Sequence, residues 1–324
     1  MTNPGHISRT LLLSKKHPDL LLVSRGSGDN IDDAAAEKSS GISQIRAFNI
    51  SALSGTETYD YPSQGTLVGW GLRNSVGVAE HPGSGGLYSV ENSADQINRL
   101  GTDIHEDNPG EELNFHGTLP SNTTGANFGY PHCLAVWSTA IPSPAGLTVG
   151  SQFAFSASAT DATCKSEFSA PRLTFQAHTA PLDIKFDSSG GLAYVSFHGS
   201  WNRDQPAGYR LAAIQFNRER GEPEEPSDSK KAAVDVLTNP DLSGCPGKCF
   251  RPAGLAVDSM DRVFMSSDST GEIYVVQRMT GGGANDGTGV KNVAGRVDGN
   301  RGGWGVVGLT VVVSVLGGMF FAMA

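Results

Sequence analysis

The sequence is short of basic residues and has no cluster of them. Only 24 Lys and Arg stand against 33 Asp and Glu, so the formal net charge is -9. A protein that binds the backbone of a nucleic acid normally concentrates Lys and Arg on one face. The charge balance therefore argues against a nucleic-acid partner.

Charged residues of both signs are few, at 18% of the chain, whereas glycine is abundant, with 41 residues, beside 17 prolines. This composition favours many short strands joined by tight turns over long helices. The 324 residues are enough to bury a large core, and repeated β units reach this size without splitting. We predict an all-β fold, with one large domain as plausible as two.

Cysteines are limited to four positions, Cys133, Cys164, Cys245 and Cys249. No Cys-x-x-Cys pair offers a zinc site. The even count, and the short Pro-Gly-Lys loop between the last two cysteines, predict disulfides 133–164 and 245–249 in an oxidising compartment. Buried free thiols are the alternative. Sequons at Asn49 and Asn122 provide glycan acceptors if the chain enters the secretory route.

The two ends of the chain give opposite signals. Met1 to Arg9 contain no apolar run that could serve as a signal peptide. The last segment, 304–324, has no charged residue and reaches the roughly 20 residues that a membrane helix needs. It follows a glycine-rich polar linker, 279–303, so the C-terminus matches a glycolipid (GPI) anchor signal, with a true membrane helix as the alternative.

A chain with a surface anchor must first be translocated. We therefore expect that the N-terminus of the natural protein is missing from this sequence. We also expect the protein to be extracellular and anchored to the cell-surface membrane.

Four segments share a pattern of period-two strands around a turn of Gly, Pro or Asp, which predicts four β-hairpins. The hairpins begin at Arg9, Gly77, Leu182 and Gly254. A third strand is expected after each hairpin, at 43–48, 96–100, 209–216 and 272–276. The wide gap at 117–172 has room for a further, divergent unit.

Repeated sheets of this kind bury both faces when they stack radially around a channel, which predicts a β-propeller over residues 1–278. A β-sandwich or a β-solenoid is the alternative. In a propeller, the ends of the inner strands line the channel on one face. Here those ends carry polar residues, namely Arg25-Gly26, Glu91 to Ser93, His198 to Arg203, and Ser266 to Asp268.

Four stretches carry a family resemblance, GHISRTLLLS at 5–14, GLRNSVG at 71–77, ENSADQIN at 91–98 and FHGSWNR at 197–203. They resemble the soluble quinoprotein glucose/sorbosone dehydrogenases, and most closely the fungal pyranose dehydrogenases that use pyrroloquinoline quinone (PQQ). The resemblance runs from His6 to Gln277 and implies a six-bladed β-propeller, N-terminally truncated in this chain. If the missing segment carries part of the cofactor site, the truncated chain is expected to be inactive.

The resemblance also implies an activity. Members of the family oxidise a pyranose at its C1 hydroxyl with the help of PQQ and calcium, and pass the electrons to an acceptor such as a haem domain or a quinone. We therefore expect a small-molecule sugar substrate and an electron-accepting partner.

The resemblance assigns roles to individual residues. His6 matches the catalytic base that takes the proton of the C1 hydroxyl, a task that suits an imidazole that is neutral near pH 7. PQQ is a tricarboxylic acid, and guanidinium groups pair with carboxylates through two hydrogen bonds. Arg73, with Asn74 beside it, and Arg203 are the expected cofactor contacts, and Arg251 is a weaker candidate.

Calcium prefers hard oxygen ligands and accepts backbone carbonyls. By resemblance, Ser93 and Ala94 bind it through their main chains, where it acts as a Lewis acid on the quinone. The neighbouring acids Glu91 and Asp95 are expected to orient this loop and not to bind the ion directly.

His198 and Trp201 stand at the channel end of a strand and are expected to contact the sugar. Packing within a blade is the alternative for Trp201. Two other functions remain open: a non-catalytic surface propeller that binds carbohydrate or protein, and a calcium-dependent lactonase. The lactonase would need several direct carboxylate ligands.

Overall fold

The computed structural model describes residues 4–120 and 125–277, together with the backbone of a two-residue strand at 314–315. The sequon at Asn122, the linker 279–303 and the rest of the hydrophobic segment 304–324 lie outside the described residues. None of the helices in the described residues is long and apolar enough to cross a membrane.

The first sheet is built from antiparallel strands in chain order. They are β1 (Leu11–Leu13), β2 (Leu20–Arg25), β3 (Gln44–Asn49) and β4 (Thr66–Trp70). Short 3-10 turns lie in the connections of this sheet, at Asp33–Ala36, Lys38–Ser40 and Ile50–Ala52. The first predicted hairpin and its third strand are therefore confirmed.

The second sheet corrects one prediction. Its first strands are β5 (Ser75–Glu80) and β6 (Gly86–Glu91), but residues 96–100 do not pair with them. Within that stretch, β7 (Asn98–Arg99) pairs instead with β8 (Thr102–Asp103) in a local ladder, and the third strand of the sheet is β9 (Glu111–Thr118).

The local ladder arises because the backbone leaves the extended region on both sides of β7. Gln96 and Leu100 have φ of +53° and +49°, a conformation that is uncommon for residues other than glycine and that breaks a strand. The prediction of a third strand at 96–100 was therefore wrong.

Among the described residues, the segment 117–172 forms a short ladder and not a further sheet like the four of the repeat. In its described part, β10 (Ala126–Asn127) adds a parallel strand to β4, while β11 (Cys133–Ala135) and β12 (Gln152–Ala154) form a two-stranded ladder. After helix α1 (Asp161–Glu167), strand β13 (Leu173–Phe175) pairs with β9 of the second sheet.

Disulfides stabilise the segment 117–172 and one further loop. Cys133 on β11 is bonded to Cys164 on α1, and Cys245 is bonded to Cys249. Both predicted pairs are confirmed, and the alternative of buried free thiols is excluded, since the described residues include no free cysteine.

The third and fourth sheets follow the predicted hairpins. The third contains β14 (Pro181–Phe186), β15 (Leu192–Phe197), β16 (Arg210–Asn217), β17 (Glu222–Pro223) and β18 (Ala233–Thr238). The fourth contains β19 (Pro252–Val257), β20 (Val263–Ser267), β21 (Ile273–Val276) and β22 (Ser314–Val315).

The sheets stack in chain order, with β2 and β1 against β5, β5 against β14, and β14 against β19. Apolar side chains fill the space between neighbouring sheets. Representative buried residues are Leu22, Ile45 and Val78 between the first and second sheets, Tyr88, Ile184 and Phe197 between the second and third, and Leu211, Leu255 and Met265 between the third and fourth. Each such side chain contributes roughly 1.5–3 kcal/mol by burial.

Candidate functional site

The loops after the second strands of the first two sheets are hydrogen-bonded to the segment before β5, and the second of these loops also reaches the start of β14. The Ser27 N–H donates to the carbonyl of Arg73 (2.8 Å), and the Asn92 N–H donates to the carbonyl of Asn74 (3.1 Å). The Asn92 side chain then donates to the carbonyl of Pro181 at 2.5 Å. The strand ends of three sheets therefore meet on one face of the molecule.

The fourth sheet joins the same face. The His198 N–H donates to the carbonyl of Ala180 (2.9 Å). Arg251 donates to the carbonyls of His198 and Gly199, at 3.2 and 2.8 Å, and His198 Nε2 lies 2.9 Å from the Asp268 carboxylate. All four polar strand ends that the sequence singled out thus belong to one connected surface, which we call the site face.

His6 is held on the site face by Ser27. Its Nδ1 lies 3.1 Å from the Ser27 carbonyl and 2.8 Å from the Ser27 hydroxyl, whose own proton goes to the carbonyl of Asp29 at 2.6 Å. Because a carbonyl only accepts, Nδ1 carries the ring proton and Nε2 carries the lone pair. Burial lowers the pKa of His6 to about 4, helped by the charge of Arg73, so the ring is neutral near pH 7.

Gly26 allows His6 and Asn74 to approach each other. A Cβ atom at position 26 would lie 2.6 Å from Asn74 Oδ1 and 2.8 Å from the His6 Cβ. No side chain fits between them. The structure therefore brings together three of the residues that the sequence predicted for the site, namely His6, Arg73 and Asn74.

Arg73 is buried, with 5% of its surface exposed, and its guanidinium is almost fully used by the protein. It donates to the Asn30 carbonyl (3.0 Å) and side chain (2.8 Å), to the Asn92 carbonyl (3.2 Å) and to Asp95 (3.2 Å). Within the described residues, one of the five guanidinium N–H groups of Arg73 makes no hydrogen bond. Arg73 therefore provides a fixed positive charge with little free hydrogen-bonding capacity.

The loop 92–95 presents carbonyl oxygens that fit a calcium ion. The Ser93 N–H donates to Glu111 at 2.7 Å, and the Asp95 N–H donates to Asn30 at 2.8 Å. Within the described residues, the carbonyls of Ser93 and Ala94 accept no hydrogen bond. Unpaired carbonyls in a loop fixed from behind are suitable calcium ligands.

Three buried acids of the second sheet lie beside this loop, and the sequence had pointed only to Glu91. Glu91 accepts from the Arg73 N–H at 2.7 Å, and Asn114 donates to Glu112 at 2.9 Å and to Glu91 at 3.4 Å. Burial raises the pKa of Glu111 and of Glu112 to about 7, and it raises that of Glu91 well above its usual range, with Glu112 acting in the same direction.

Glu111 and Glu112 were missed because adjacent residues of a strand face opposite sides. One contacts the loop and the other contacts Glu91, a division that cannot be read before the strand is assigned. The available signal was an acidic pair at the start of an apolar strand.

Within the described residues, no group of three or more His, Cys, Asp or Glu side chains is arranged to hold a metal ion.

The two other arginines, Arg203 and Arg251, differ in how their N–H donors are used by the protein. Arg203 forms ion pairs with Asp107 (3.5 Å) and Glu106 (3.8 Å) on a neighbouring loop. Arg251 uses Nε and Nη2 for the two carbonyls described above, and within the described residues its Nη1 makes no hydrogen bond. Arg251, the weaker candidate from the sequence, therefore keeps more free donors than Arg73.

Trp201 and Asn202 lie on the rim of the site face. Trp201 is 65% exposed, which excludes packing within a sheet. Asn202 donates to Asp95 at 2.9 Å, while its own Oδ1 is buried without a partner among the described residues. An unpaired buried acceptor is costly, and a donor from a bound molecule would satisfy it.

A cavity elsewhere on the described surface offers no better site. A cavity of about 550 Å³ lies at the opposite end of the same strands, lined by Lys15, Glu80, Lys185, Asp187 and others. Its acids are already bonded to the protein, Glu80 to Ser14 and Asp187 to Ser189. The chemistry therefore favours the site face.

Comparison with known proteins identifies the class. A family model described as TrAA12-like matches residues 1–279, and the chain belongs to this family. The resemblance predicted from the sequence is confirmed.

Individual relatives are similar over most of the chain. A pyrroloquinoline quinone-dependent sugar dehydrogenase of Hypocrea jecorina (strain QM6a) is 52% identical over 293 residues, which cover 89% of this chain and 66% of the relative. A pyrroloquinoline quinone-dependent pyranose dehydrogenase of Coprinopsis cinerea is 37% identical over 87% of this chain and 41% of the relative. The chain thus spans less than two thirds of the length of either relative.

Solved structures agree with these matches. The calcium structure of a Trichoderma reesei enzyme of carbohydrate-active enzyme family AA12 has a TM-score of 0.83 and 54% identity, covering 85% of this chain and 69% of the other. The holo form of the PQQ domain of pyranose dehydrogenase from Coprinopsis cinerea has a TM-score of 0.79 and 35% identity, covering 86% and 71%.

Proposed function

We propose that this chain is the catalytic part of a PQQ- and calcium-dependent sugar dehydrogenase. Its four sheets would be consecutive blades of a six-bladed β-propeller that occupies residues 1–278. The observation that carries the proposal is the meeting of His6, Arg73, Asn74 and the loop 92–95 on one face, beside unpaired carbonyls. The names of the relatives support the sugar and the cofactor.

The residues of the site face suit an acidic quinone and a divalent ion. The carbonyls of Ser93 and Ala94 would hold calcium, and Arg251, Arg73 and Asn74 would hold the carboxylates and carbonyls of PQQ. Arg203 would contribute charge from the rim. The side chains of Trp201 and His198 would lie against the sugar.

His6 would act as the general base at the C1 hydroxyl of a pyranose. Its Nε2 would take the hydroxyl proton, while Nδ1 keeps its hydrogen bond to the Ser27 carbonyl and thereby fixes the ring. When bound, PQQ supplies the acceptor for the hydride of the sugar, and calcium supplies Lewis acidity beside it. Asp29 and Asp95 lie close enough to favour the imidazolium that proton transfer creates.

Reconstitution tests the proposal. The purified chain is incubated with PQQ and calcium, and reduction of a redox dye is followed with a panel of pyranoses. We expect sugar-dependent reduction that is lost without PQQ and after removal of calcium by a chelator. Sugar binding without PQQ binding at saturating calcium would instead support a non-catalytic carbohydrate-binding propeller.

The pH dependence of the reaction follows from the low pKa of His6. The base works only when deprotonated, so the acid limb of kcat/KM should rise with pH through about 4 and be complete by about pH 6. An ordinary histidine would place the rise near about 6.5. An acid limb centred near 6.5 that disappears in His6→Ala would contradict the neutral, buried ring described here.

We also propose that the protein is secreted and held at the cell surface through its C-terminal segment. Asn49 is exposed, and its side-chain oxygen accepts hydrogen bonds from Ser51 and Ala52, so a glycan on its nitrogen would point to solvent. The electron acceptor would be a haem domain or a quinone that reaches the rim of the site face.

A further inference from the structure

His178 is a buried histidine that the mechanism above does not use. It lies between β13 and β14, with 7% of its surface exposed. Its Nδ1 is 3.2 Å from the Asp95 carboxylate, and its Nε2 is 2.5 Å from the carbonyl of His105. The side chain therefore connects the loop that carries Asp95 to the loop that carries His105.

The contacts of His178 define its protonation. A carbonyl oxygen can only accept a hydrogen bond, so Nε2 must carry a proton. Asp95 forms an ion pair with Arg73 at 3.2 Å and accepts from Asn202 at 2.9 Å, contacts that suit an ionised carboxylate. The ionised carboxylate also only accepts, so Nδ1 must carry a proton too, and the ring is an imidazolium.

The partner of His178 is shared with the cofactor site. Asp95 Oδ1 accepts from Asn202 at 2.9 Å, and its Oδ2 accepts from Arg73 at 3.2 Å. Without a cation at position 178, one oxygen of this carboxylate would face a ring lone pair. The carboxylate would then lose one of its three side-chain donors, and it would orient Arg73 and Asn202 less firmly.

The backbone around His178 is held in an unusual shape. His178 and Ala180 both have positive φ, +62° and +52°, which costs non-glycine residues energy and persists only where contacts enforce it. The Ala180 N–H donates to Glu111 at 3.0 Å, the same acid that holds the Ser93 N–H. The segment 178–180 is therefore built to place its side chain against the site.

We propose that His178 is a positioning residue for the dehydrogenase site, which as an imidazolium fixes the Asp95 carboxylate and through it Arg73 and Asn202. The kinetic part of this inference rests on the proposed function. The charge state of His178 does not, and it can be measured separately.

A pH dependence on the alkaline side follows. Burial acts to lower the pKa of His178, but its hydrogen bond to Asp95 and the charge of Glu111 outweigh it, and the pKa is raised. Arg73 reaches the same Asp95 carboxylate, and the His105 ring lies 6.2 Å from the His178 ring. The contact of the imidazolium with Asp95 is complete below the raised pKa of His178 and is lost as the pH rises through that pKa. Activity should therefore fall with increasing pH in that range.

The test combines NMR with kinetics on the full chain. Nitrogen-15 labelled histidines are titrated in the wild type and in His178→Gln, which assigns the signal, and both ring nitrogens of His178 should be protonated at pH 7. In the PQQ- and calcium-loaded protein, His178→Gln should lose about tenfold in kcat/KM, since one charged hydrogen bond is worth about 1.5–3 kcal/mol, and its alkaline limb should disappear. His105→Gln, which keeps the carbonyl, is the matched control.

Two results would overturn the inference. One is a neutral His178 ring at pH 7, which is readable even if the chain oxidises no sugar. The other is a His178→Gln protein that folds, as judged by its unchanged remaining histidine signals, and retains the alkaline limb of the wild type. Absence of all dye reduction in the wild type, with a protonated His178, would instead count against the proposed function alone.

Discussion

Replacing His6 with alanine is expected to lower kcat by about 10²–10⁴-fold, the usual contribution of a positioned general base. The side chain is half-buried, and the contacts that fix its ring come from Ser27, which is not among the residues proposed to hold PQQ. The affinity for PQQ should therefore change little. Steady-state dye reduction with a saturating pyranose, together with a PQQ titration, separates the two effects.

His17→Ala serves as the control for this variant. His17 lies in the turn between β1 and β2, at the opposite end of the first sheet from His6. Its replacement should leave kcat unchanged. If His6→Ala retains wild-type kcat, or loses activity only through loss of PQQ binding, His6 is not the base.

The second large effect is expected at Arg251. Arg251→Ala should weaken PQQ binding by about 10- to 100-fold, because a hydrogen bond to a charged group is worth about 1.5–3 kcal/mol and Nη1 of this guanidinium makes no hydrogen bond within the described residues. Arg203→Ala should weaken it less, since Arg203 is already paired with Asp107 and Glu106. A PQQ titration at fixed calcium measures both.

Arg251→Lys refines this comparison. Lysine keeps the charge but not the planar fork that can donate to a carboxylate and to the two carbonyls of His198 and Gly199 at once. We expect Arg251→Lys to remain several-fold weaker than the wild type. A larger loss in Arg203→Ala than in Arg251→Ala would reverse the assignment and place the main carboxylate contact on the rim.

Most of the fold could be predicted because its signal is local. The four hairpins follow from alternating apolar residues on both sides of a turn, and each was found within a few residues of its predicted bounds. The third strand of the second sheet could not be found in this way. Positive φ at Gln96 and Leu100 ends the extended backbone, and β9 joins the sheet from further along the chain.

The site was predictable only in part, and for a different reason. Periodicity placed the polar strand ends on one face, but the role of His6 came from family resemblance, because a histidine before a strand has no distinctive local pattern. The contacts that fix Arg73 come from Asn30, Asn92 and Asp95. The hydrogen bond from Arg73 to Asn30 joins residues 43 positions apart. Such pairings arise only from the stacking of sheets.

His178 shows the same limit more sharply. Its protonation depends on the carbonyl of His105 and the carboxylate of Asp95, which are separated from it by 73 and 83 positions. His6 and His178 share a residue type, yet one is neutral and the other is charged. Their partners alone make the difference.

The most direct test of the central claim is an experimental structure of this chain with PQQ and calcium. The account predicts that the ion is bound by the carbonyls of Ser93 and Ala94 and that PQQ lies on the same face, with Arg251 at its carboxylates and His6 Nε2 directed at the sugar position. A calcium ion or a PQQ molecule bound away from this face, with His6 contacting neither sugar nor cofactor, would contradict it.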